Sequence, residues 1–387
     1  MSRATRGIEV HVAIVSKTFV ATTAQRQLEW IARQPDTQLS LVTPDVWKSD
    51  DGRDIAFRNV FTSNYAVARL PVVFNGHYHF YLYRRLRKTL TDLKVDLIHI
   101  DEEPYNPAGL QSQRIADALG VPTVFVAWQN ILRDYPVPYR KIEQYNYART
   151  SHIIAGNTAA ADVLRKKRYS GPLSVFSLHG VDPEIYAPGN AVKPTGKLHI
   201  GYVGRVVHYK GIEVLLRAVA GLPESCELRI IGSGPDEQLY RGLTHELSLQ
   251  HRVTFSSAVD AGEIPALLRT LDVLVLPSLT QKNWKEQFGR VLIEAMSCGV
   301  PVVGSDSGEI PEVISNAGVI VPEGDSDALR QALLKLALDS GLRQQLAEAG
   351  RRRVLERFTQ EQVARETRQV YADAMQFFQR RASSRTR

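Results

Sequence analysis

The chain has 387 residues, more than one ordinary hydrophobic core organises, so two domains are expected. Its 44% hydrophobic and 23% charged residues suit a soluble globular protein, and no apolar run approaches a membrane span. The net charge of +7 is uneven: residues 1–190 carry 23 Lys/Arg against 18 Asp/Glu, and residues 191–387 carry 25 against 23. Such an excess suits an anionic membrane surface or a phosphate-bearing acceptor, or simply a soluble basic protein. No recognised nucleic-acid motif accompanies it, which argues against nucleic acid as a partner.

The segment "IEVHVAIV" from Ile8 reads as a first strand rather than a signal peptide, because no small-residue cleavage site follows and Lys17 closes it. Helix "TTAQRQLEWIARQ", strand "TQLSLVT" and a less regular stretch at "DIAFRNV" come next. A helix is predicted over "HFYLYRRLRKTLTDL", then strand "VDLIHI", helix "PAGLQSQRIADALG" and strand "PTVFVA". A helix near "PYRKIEQYNYART", strand "HIIAG", helix "TAAADVLRKK" and strand "LSVFS" close this half. Residues 182–197, with three Pro and two Gly, read as a linker. A second alternating series begins with strand "LHIGYVG", helix "GIEVLLRAVAGL" and strand "ELRIIG". It continues through helix "PDEQLYRGLTHELSL", strand "VTFSS", helix "IPALLRT" and strand "DVLVLP", and after one more helix ends with strands "PVVG" and "GVIV". Alternation of this kind predicts α/β domains with doubly wound parallel sheets. The expected boundaries are 1–181 for an N-terminal Rossmann-like domain, 182–197 for the linker and 198–357 for a C-terminal Rossmann-like domain. Residues 358–380 are expected to form a helix returning to the first domain, and 381–387 a disordered tail. Cys226 and Cys298 lie in apolar stretches, which suggests buried, reduced thiols in a cytoplasmic protein.

The most informative stretch is "EQFGRVLIEAMSCGVPVVGSDSGEIPEV", beginning at Glu286. Gly289 allows a close backbone approach where a loop enters a helix, and the unpaired N–H groups of a helix start suit a phosphate. Glu294 falls more than a turn into that helix, where a carboxylate can accept hydrogen bonds from a ribose diol. Glu286 sits in the loop and can reach a second polyol. Upstream, "IGYVGRVVHYKGIEVLLRA" places Gly204 and Arg205 after a strand and Lys210 before the next helix, so that two cations can hold a diphosphate. Together these groups describe a sugar-nucleotide site.

This pattern resembles the Glu-x7-Glu signature of glycosyltransferase family four, the retaining sugar-nucleotide transferases. The resemblance implies the GT-B fold, two Rossmann-like doubly wound domains facing across a cleft. It implies that Arg205 and Lys210 stabilise the leaving diphosphate and that Glu286 serves the transferring sugar as the third catalytic group. Gly204, Phe288, Gly289, Arg290 and Glu294 would line the donor site. In the family the turn carrying Ile231, Gly232 and Ser233 lies beside the base and ribose, though a plain tight turn explains those glycines equally. Val259 is expected to offer backbone contacts to the base. The donor would be a UDP- or GDP-linked sugar and no cofactor is implied. No metal site is expected, because the one Asp-x-Asp, Asp325 and Asp327, reads as a helix cap.

Family members often carry a Gly-Gly turn after the first strand, and "SKTFVATTAQRQ" has no glycine. Lys17, Thr22 or Thr23 could take over its phosphate contact, or a Thr could cap the helix. Asp101, Glu102 and Glu103 end a strand, with Asn106 three residues beyond. They either serve acceptor hydroxyls or form a solvated acidic turn. Trp128, Gln129 and Asn130 end another strand and suit a sugar or polyol, unless Trp128 packs the core. His179, Gly180, Val181 and Asp182 resemble a family turn with His in place of Asn. The aromatic, basic residues 77–90 suit either an anionic membrane or a core-facing helix.

The expected activity is metal-independent retaining transfer of a sugar to a lipid, glycan or small polyol, in the cytoplasm or peripherally on the inner face of a membrane. The alternatives are an epimerase or phosphorylase of the same fold, or an inactive sugar-nucleotide-binding subunit. The phosphorylase cofactor lysine has no apparent motif, and Arg205, Lys210, Glu286 and Glu294 together argue against an inactive subunit.

Overall fold

The computed structural model describes residues 10–49, 52–189 and 196–385. The predicted strand start at residues 8–9, part of the expected linker (190–195) and residues 386–387 lie outside them. The chain forms two compact units: one takes in residues up to 178 with the chain from 360 on, the other residues 179–359.

The first unit is built on seven strands: β1 (Val10–Val15), β2 (Thr37–Pro44), β3 (Ala66–Leu70), β4 (Leu97–Ile100), β5 (Thr123–Ala127), β6 (His152–Ala155) and β7 (Leu173–Val175). Their spatial order is β7-β6-β5-β4-β1-β2-β3, all parallel. Strands such as β4 and β5 are buried along their whole length, as a parallel sheet covered on both faces requires. The second unit holds β8 (Leu198–Val203), β9 (Cys226–Ile231), β10 (Val253–Ser256), β11 (Val273–Leu276), β12 (Val302–Ser305) and β13 (Val319–Val321). Their order is β10-β9-β8-β11-β12-β13, again all parallel. Each sheet has one point where the order reverses, between β1 and β4 in the first and between β8 and β11 in the second. Loops leaving the carboxyl ends of the flanking strands part there and leave a crevice.

Three expectations need correction. The helix predicted over 79–93 exists only as Leu86–Leu93. Before it, Leu82–Tyr83 pairs antiparallel with Val72–Val73, which sends Tyr81 and Tyr83 into the core. Arg85 then takes a left-handed conformation, which no helix interior tolerates. The stretch from 182 is not a free linker. Tyr186 is buried in the second core, and Arg351 donates to the carbonyls of Tyr186 and Pro183. The tail is helical: the last helix runs Gln360–Arg385, with Arg381 donating to the Ala148 carbonyl. That helix belongs to the first unit, where Tyr371 is buried and its hydroxyl lies 2.8 Å from His99 Nδ1.

Cys226 and Cys298 are buried and unbridged. Asp325 caps the helix Ser326–Leu338 by accepting from the Ala328 amide at 2.8 Å. Because Tyr186 is a core residue, Tyr186→Ala should cost about 3 kcal/mol, as truncation of a buried aromatic does. A linker residue would cost under about 0.5 kcal/mol. Denaturant unfolding followed by tryptophan fluorescence distinguishes the two.

Candidate functional site

At the reversal point of the second sheet, the loop after β8 carries Gly204, Arg205 and Lys210, and the loop after β11 carries Ser278, Trp284 and Glu286. Lys210 Nζ lies 2.5 Å from Glu286 Oε2, and Ser278 Oγ donates to the same oxygen at 2.9 Å. The two charged side chains are only 17% and 10% exposed. Buried charges of this kind are tolerated only when paired. The ammonium also sits 4.9 Å from the Trp284 ring centroid, and Trp284 stacks on Tyr209 at 4.2 Å. The Glu286 carbonyl accepts from the Glu309 amide at 3.1 Å, which ties this loop to the one after β12. Arg205 is exposed, and among the described residues its guanidinium has no carboxylate partner. Its own carbonyl is fixed by the Tyr202 hydroxyl at 2.6 Å.

The loops after β8 and β9 are joined through main chain. Gly204 N donates to Ile231 O at 3.0 Å and Val206 N to Ser233 O at 3.0 Å. A Cβ on Gly232 would stand 1.8 Å from the Gly204 carbonyl oxygen, and its φ of +141° is one that glycine alone adopts readily. The turn carrying Ile231, Gly232 and Ser233 therefore lies against the Arg205 loop. Val259 is half-buried in the loop after the neighbouring β10.

Gly289, at φ +81°, is the cap of helix Arg290–Ser297. There glycine serves a left-handed turn packed against Leu276 and Leu292. Phe288 is buried, with its ring 5.6 Å from His179 and 5.7 Å from Phe358. Glu294 is 8% exposed, one turn into the helix. Arg290 Nε lies 2.8 Å from its Oε1, and the Tyr186 hydroxyl donates to it at 3.4 Å. Burial raises the Glu294 carboxyl above its ordinary range, against the opposing pull of Arg290. Ser278, Trp284 and Tyr186 were not among the predicted site residues. A serine directly after the apolar strand "DVLVLP" was the one available signal.

The first sheet repeats the arrangement. Val15 pairs with Ile100 across β1 and β4, so the next residues of each strand meet in register. Ser16 Oγ donates to Asp101 Oδ2 at 2.6 Å, and Lys17 Nζ lies 2.9 and 2.6 Å from the two Glu102 oxygens. Glu102 also accepts from the Tyr81 hydroxyl and, at 3.1 Å, from Asn106 Nδ2. The rings of Trp47, Tyr78 and Tyr81 stand 5.8, 5.6 and 5.1 Å from Lys17 Nζ. Lys17 is paired with Glu102 as Lys210 is with Glu286. The acidic residues are not a solvated turn, since Glu102 is 5% exposed. Nor does a Thr cap the following helix: the cap position is Ala21, without a side-chain bond, and Thr22 is already helical.

Glu103 Oε1 accepts from the Trp128 amide at 2.7 Å. Burial pushes Glu103 up to about 7, against the pull of that amide. Trp128 packs over Gly156, where a Cβ would lie 2.2 Å from a ring carbon. Gln129 bonds the Ile131 carbonyl at 3.0 Å and lies 3.5 Å from Lys167 Nζ, and Asn130 is buried. The structure thus brings Lys17, Asp101, Glu102 and Asn106 together, and joins Glu103 to Trp128 beside them.

Residues 188–353 match the family model of glycosyl transferases group 1. The match falls within the unit that carries Arg205, Lys210, Glu286 and Glu294. The chain is 32% identical over 183 residues to the uncharacterized glycosyltransferase MJ1607 of Methanocaldococcus jannaschii, covering 46% of each chain. It is 30% identical over 267 residues to a D-inositol 3-phosphate glycosyltransferase of Stackebrandtia nassauensis, covering 63% of this chain and 59% of the relative. The chain thus spans about half the length of these curated relatives. Among solved structures, Anabaena Alr3699/HepE in complex with UDP superposes with a TM-score of 0.70 at 18% identity, over 94% of this chain and 99% of that one. The fold is GT-B.

Glu103 generates a pH prediction. Its carboxyl ordinarily titrates at 4.5 and in the fold at about 7, so the folded protein holds the proton more tightly. Stability from this site is fully present below pH 4.5 and is lost as pH rises through about 7. Glu103→Gln should remove this loss, worth about 3 kcal/mol at most. Chemical denaturation at a series of pH values would show the wild-type and variant slopes converging above that range. Parallel slopes throughout would count against the shift.

Proposed function

We propose that the chain is a retaining, metal-independent glycosyltransferase. It would move a sugar from a nucleoside-diphosphate sugar to a lipid, glycan or polyol acceptor. The observation that carries this reading is the ion pair of Lys210 with Glu286 at the reversal point of the second sheet. The same unit carries Arg205, without a carboxylate partner among the described residues, and a buried Glu294, and all four residues lie inside the segment that matches the group 1 family model. The UDP complex of HepE and the sugar-transferring name of the Stackebrandtia relative support it.

In this mechanism Arg205 and Lys210 hold the diphosphate. The bond from the anomeric carbon to the departing phosphate oxygen lengthens, and the acceptor oxygen bonds to that carbon on the same face. The departing phosphate takes the acceptor proton. Glu286 fixes Lys210 and, by its other oxygen, a hydroxyl of the transferring sugar. Glu294 accepts from the ribose diol. The protein supplies orientation and charge where negative charge develops, and the two cations do the work a metal does elsewhere.

The first test is calorimetric titration with a panel of UDP- and GDP-linked sugars. No binding by any member of the panel would remove the donor reading.

Arg205→Ala and Lys210→Ala should each lower turnover at least tenfold at saturating donor, about 1.4 kcal/mol of transition-state stabilisation. Lys210→Ala also strands Glu286, so melting temperature is measured alongside and activity compared on folded protein. Wild-type turnover should persist in excess EDTA. Loss that Mg²⁺ or Mn²⁺ restores would show that the basic pair is insufficient.

The two glutamates should fail differently. Glu294→Gln should raise KM and weaken nucleoside diphosphate binding with little change in kcat, because the ribose is held alike in ground and transition states. Glu286→Gln should lower kcat and leave nucleoside diphosphate affinity no weaker, since Lys210 loses a competitor for its charge. Equal losses of affinity in both variants would contradict this division of the motif.

A further inference from the structure

A groove of about 530 Å³ opens in the first unit beside the helix Pro107–Leu119. That volume falls in the range of small-molecule sites, roughly 300–1,000 Å³. Leu82, Pro107, Leu110 and Ile115 supply its apolar lining, and Arg87 and Arg114 are its exposed cations. The one amide in the lining, Gln111, is spent on the main chain of Tyr83, at 3.0 and 2.8 Å. An apolar ligand therefore leaves no free amide unsatisfied. Among the described residues neither Arg87 nor Arg114 has a carboxylate partner; Arg114 only overlies the Tyr145 ring at 5.6 Å. Arg84 and Arg85 are exposed on the same segment. Phe74 and Phe80, 54% and 43% exposed, stack on each other at 4.9 Å just before it. Leu82 follows Tyr81 and Pro107 follows Asn106, and both of those residues bond Glu102. The groove thus begins where the polar cluster of the first sheet ends.

We propose that this groove takes the apolar chain of an anionic lipid whose phosphate is held by Arg87 and Arg114. Apolar lining alone would suit many occupants; the unpaired guanidiniums select one with a phosphate head, which forked donors bind in two-pronged fashion. The exposed aromatic pair beside the arginines is the composition of a membrane-interface contact. Treating the bound lipid as the sugar acceptor rests on the glycosyltransferase reading; the binding does not.

The test is calorimetry on the full chain with butyl phosphate, octyl phosphate, inorganic phosphate and octyl glucoside. Each buried methylene is worth about fourfold in affinity. Octyl phosphate should therefore bind at least tenfold tighter than butyl phosphate. The double variant Arg87→Ala, Arg114→Ala should lose at least tenfold for octyl phosphate and keep wild-type UDP affinity. Leu110→Asp should abolish the difference between the two chain lengths. Inorganic phosphate binding as well as octyl phosphate would reduce the groove to an anion site and overturn the proposal. Octyl glucoside binding as well would do the same by removing the phosphate. A wild-type dimer in sedimentation velocity, dispersed by Leu110→Asp, would assign the groove to a second copy instead. Octyl phosphate binding without any sugar-nucleotide binding would sustain the groove and sink the donor reading.

Discussion

The buried ion pair between Lys210 and Glu286 is the constraint on which the candidate donor site depends. Removing an ammonium and a carboxylate from water costs several kcal/mol each, and pairing returns that only with good geometry and further hydrogen bonds. Here the geometry is direct, and Ser278 supplies the further bond. An apolar pair of similar volume would serve stability as well or better. Stability therefore does not explain why two charges stand where the strand order reverses, and a ligand that needs charge at that point does. Gly211 and Gly308 serve the same requirement: a Cβ on Gly211 would stand 1.8 Å from the Pro277 carbonyl oxygen and one on Gly308 2.0 Å from the Glu286 carbonyl oxygen, so glycine at both lets the neighbouring loops close around the pair.

The two sheets solve one topological problem with two chemistries. Each places a Lys after the strand on one side of the reversal and a Glu after the strand on the other. Around Lys210 stand the Glu286 carboxylate and the Trp284 ring, and the same unit carries Arg205, exposed and without a carboxylate partner among the described residues, and the buried Glu294. Around Lys17 stand the rings of Trp47, Tyr78 and Tyr81, and the Glu102 carboxylate receives four donor contacts, two from Lys17 and one each from Tyr81 and Asn106. The first arrangement leaves a positive charge unspent, which suits a polyanion. The second spends its charge internally and presents fixed carboxylates and hydroxyls, which suits a neutral, hydroxyl-rich group. Under the proposed function, this difference in charge accounting, rather than fold, is what would place the donor in one unit and hydroxyl recognition in the other.

Much of this was legible in the residues. Parallel strands buried on both faces are rich in Val, Ile and Leu, so β1, β4, β5, β8 and β11 could be read almost to their ends. Local chemistry was also readable: Asp325 as a cap, and Arg205 and Lys210 as one strand-to-helix loop. What failed was non-local. Tyr81 and Tyr83 alternate as in a strand, but the basic run after them imitates a helix, and only their burial decides between the two periods. Proline and glycine around Tyr186 report irregular backbone, which says nothing of whether a side chain is buried. The contact of Lys17 with Glu102 spans 85 residues and exists because Val15 and Ile100 pair in register. No sequence window holds both ends of that fact.

The missing glycine after β1 now has a physical reading. A Gly-Gly turn at that point would let main chain approach a phosphate. Here Ser16 and Lys17 occupy the turn, and both side chains reach across to Asp101 and Glu102. The turn is therefore held by side chains against its own sheet, and its one cation is already neutralised. If the donor's diphosphate is to be compensated, the charge must come from Arg205 and Lys210, and Lys210 shares its charge with Glu286. Arg205, exposed and without a carboxylate partner, then becomes the residue on which the electrostatics of the leaving group turn.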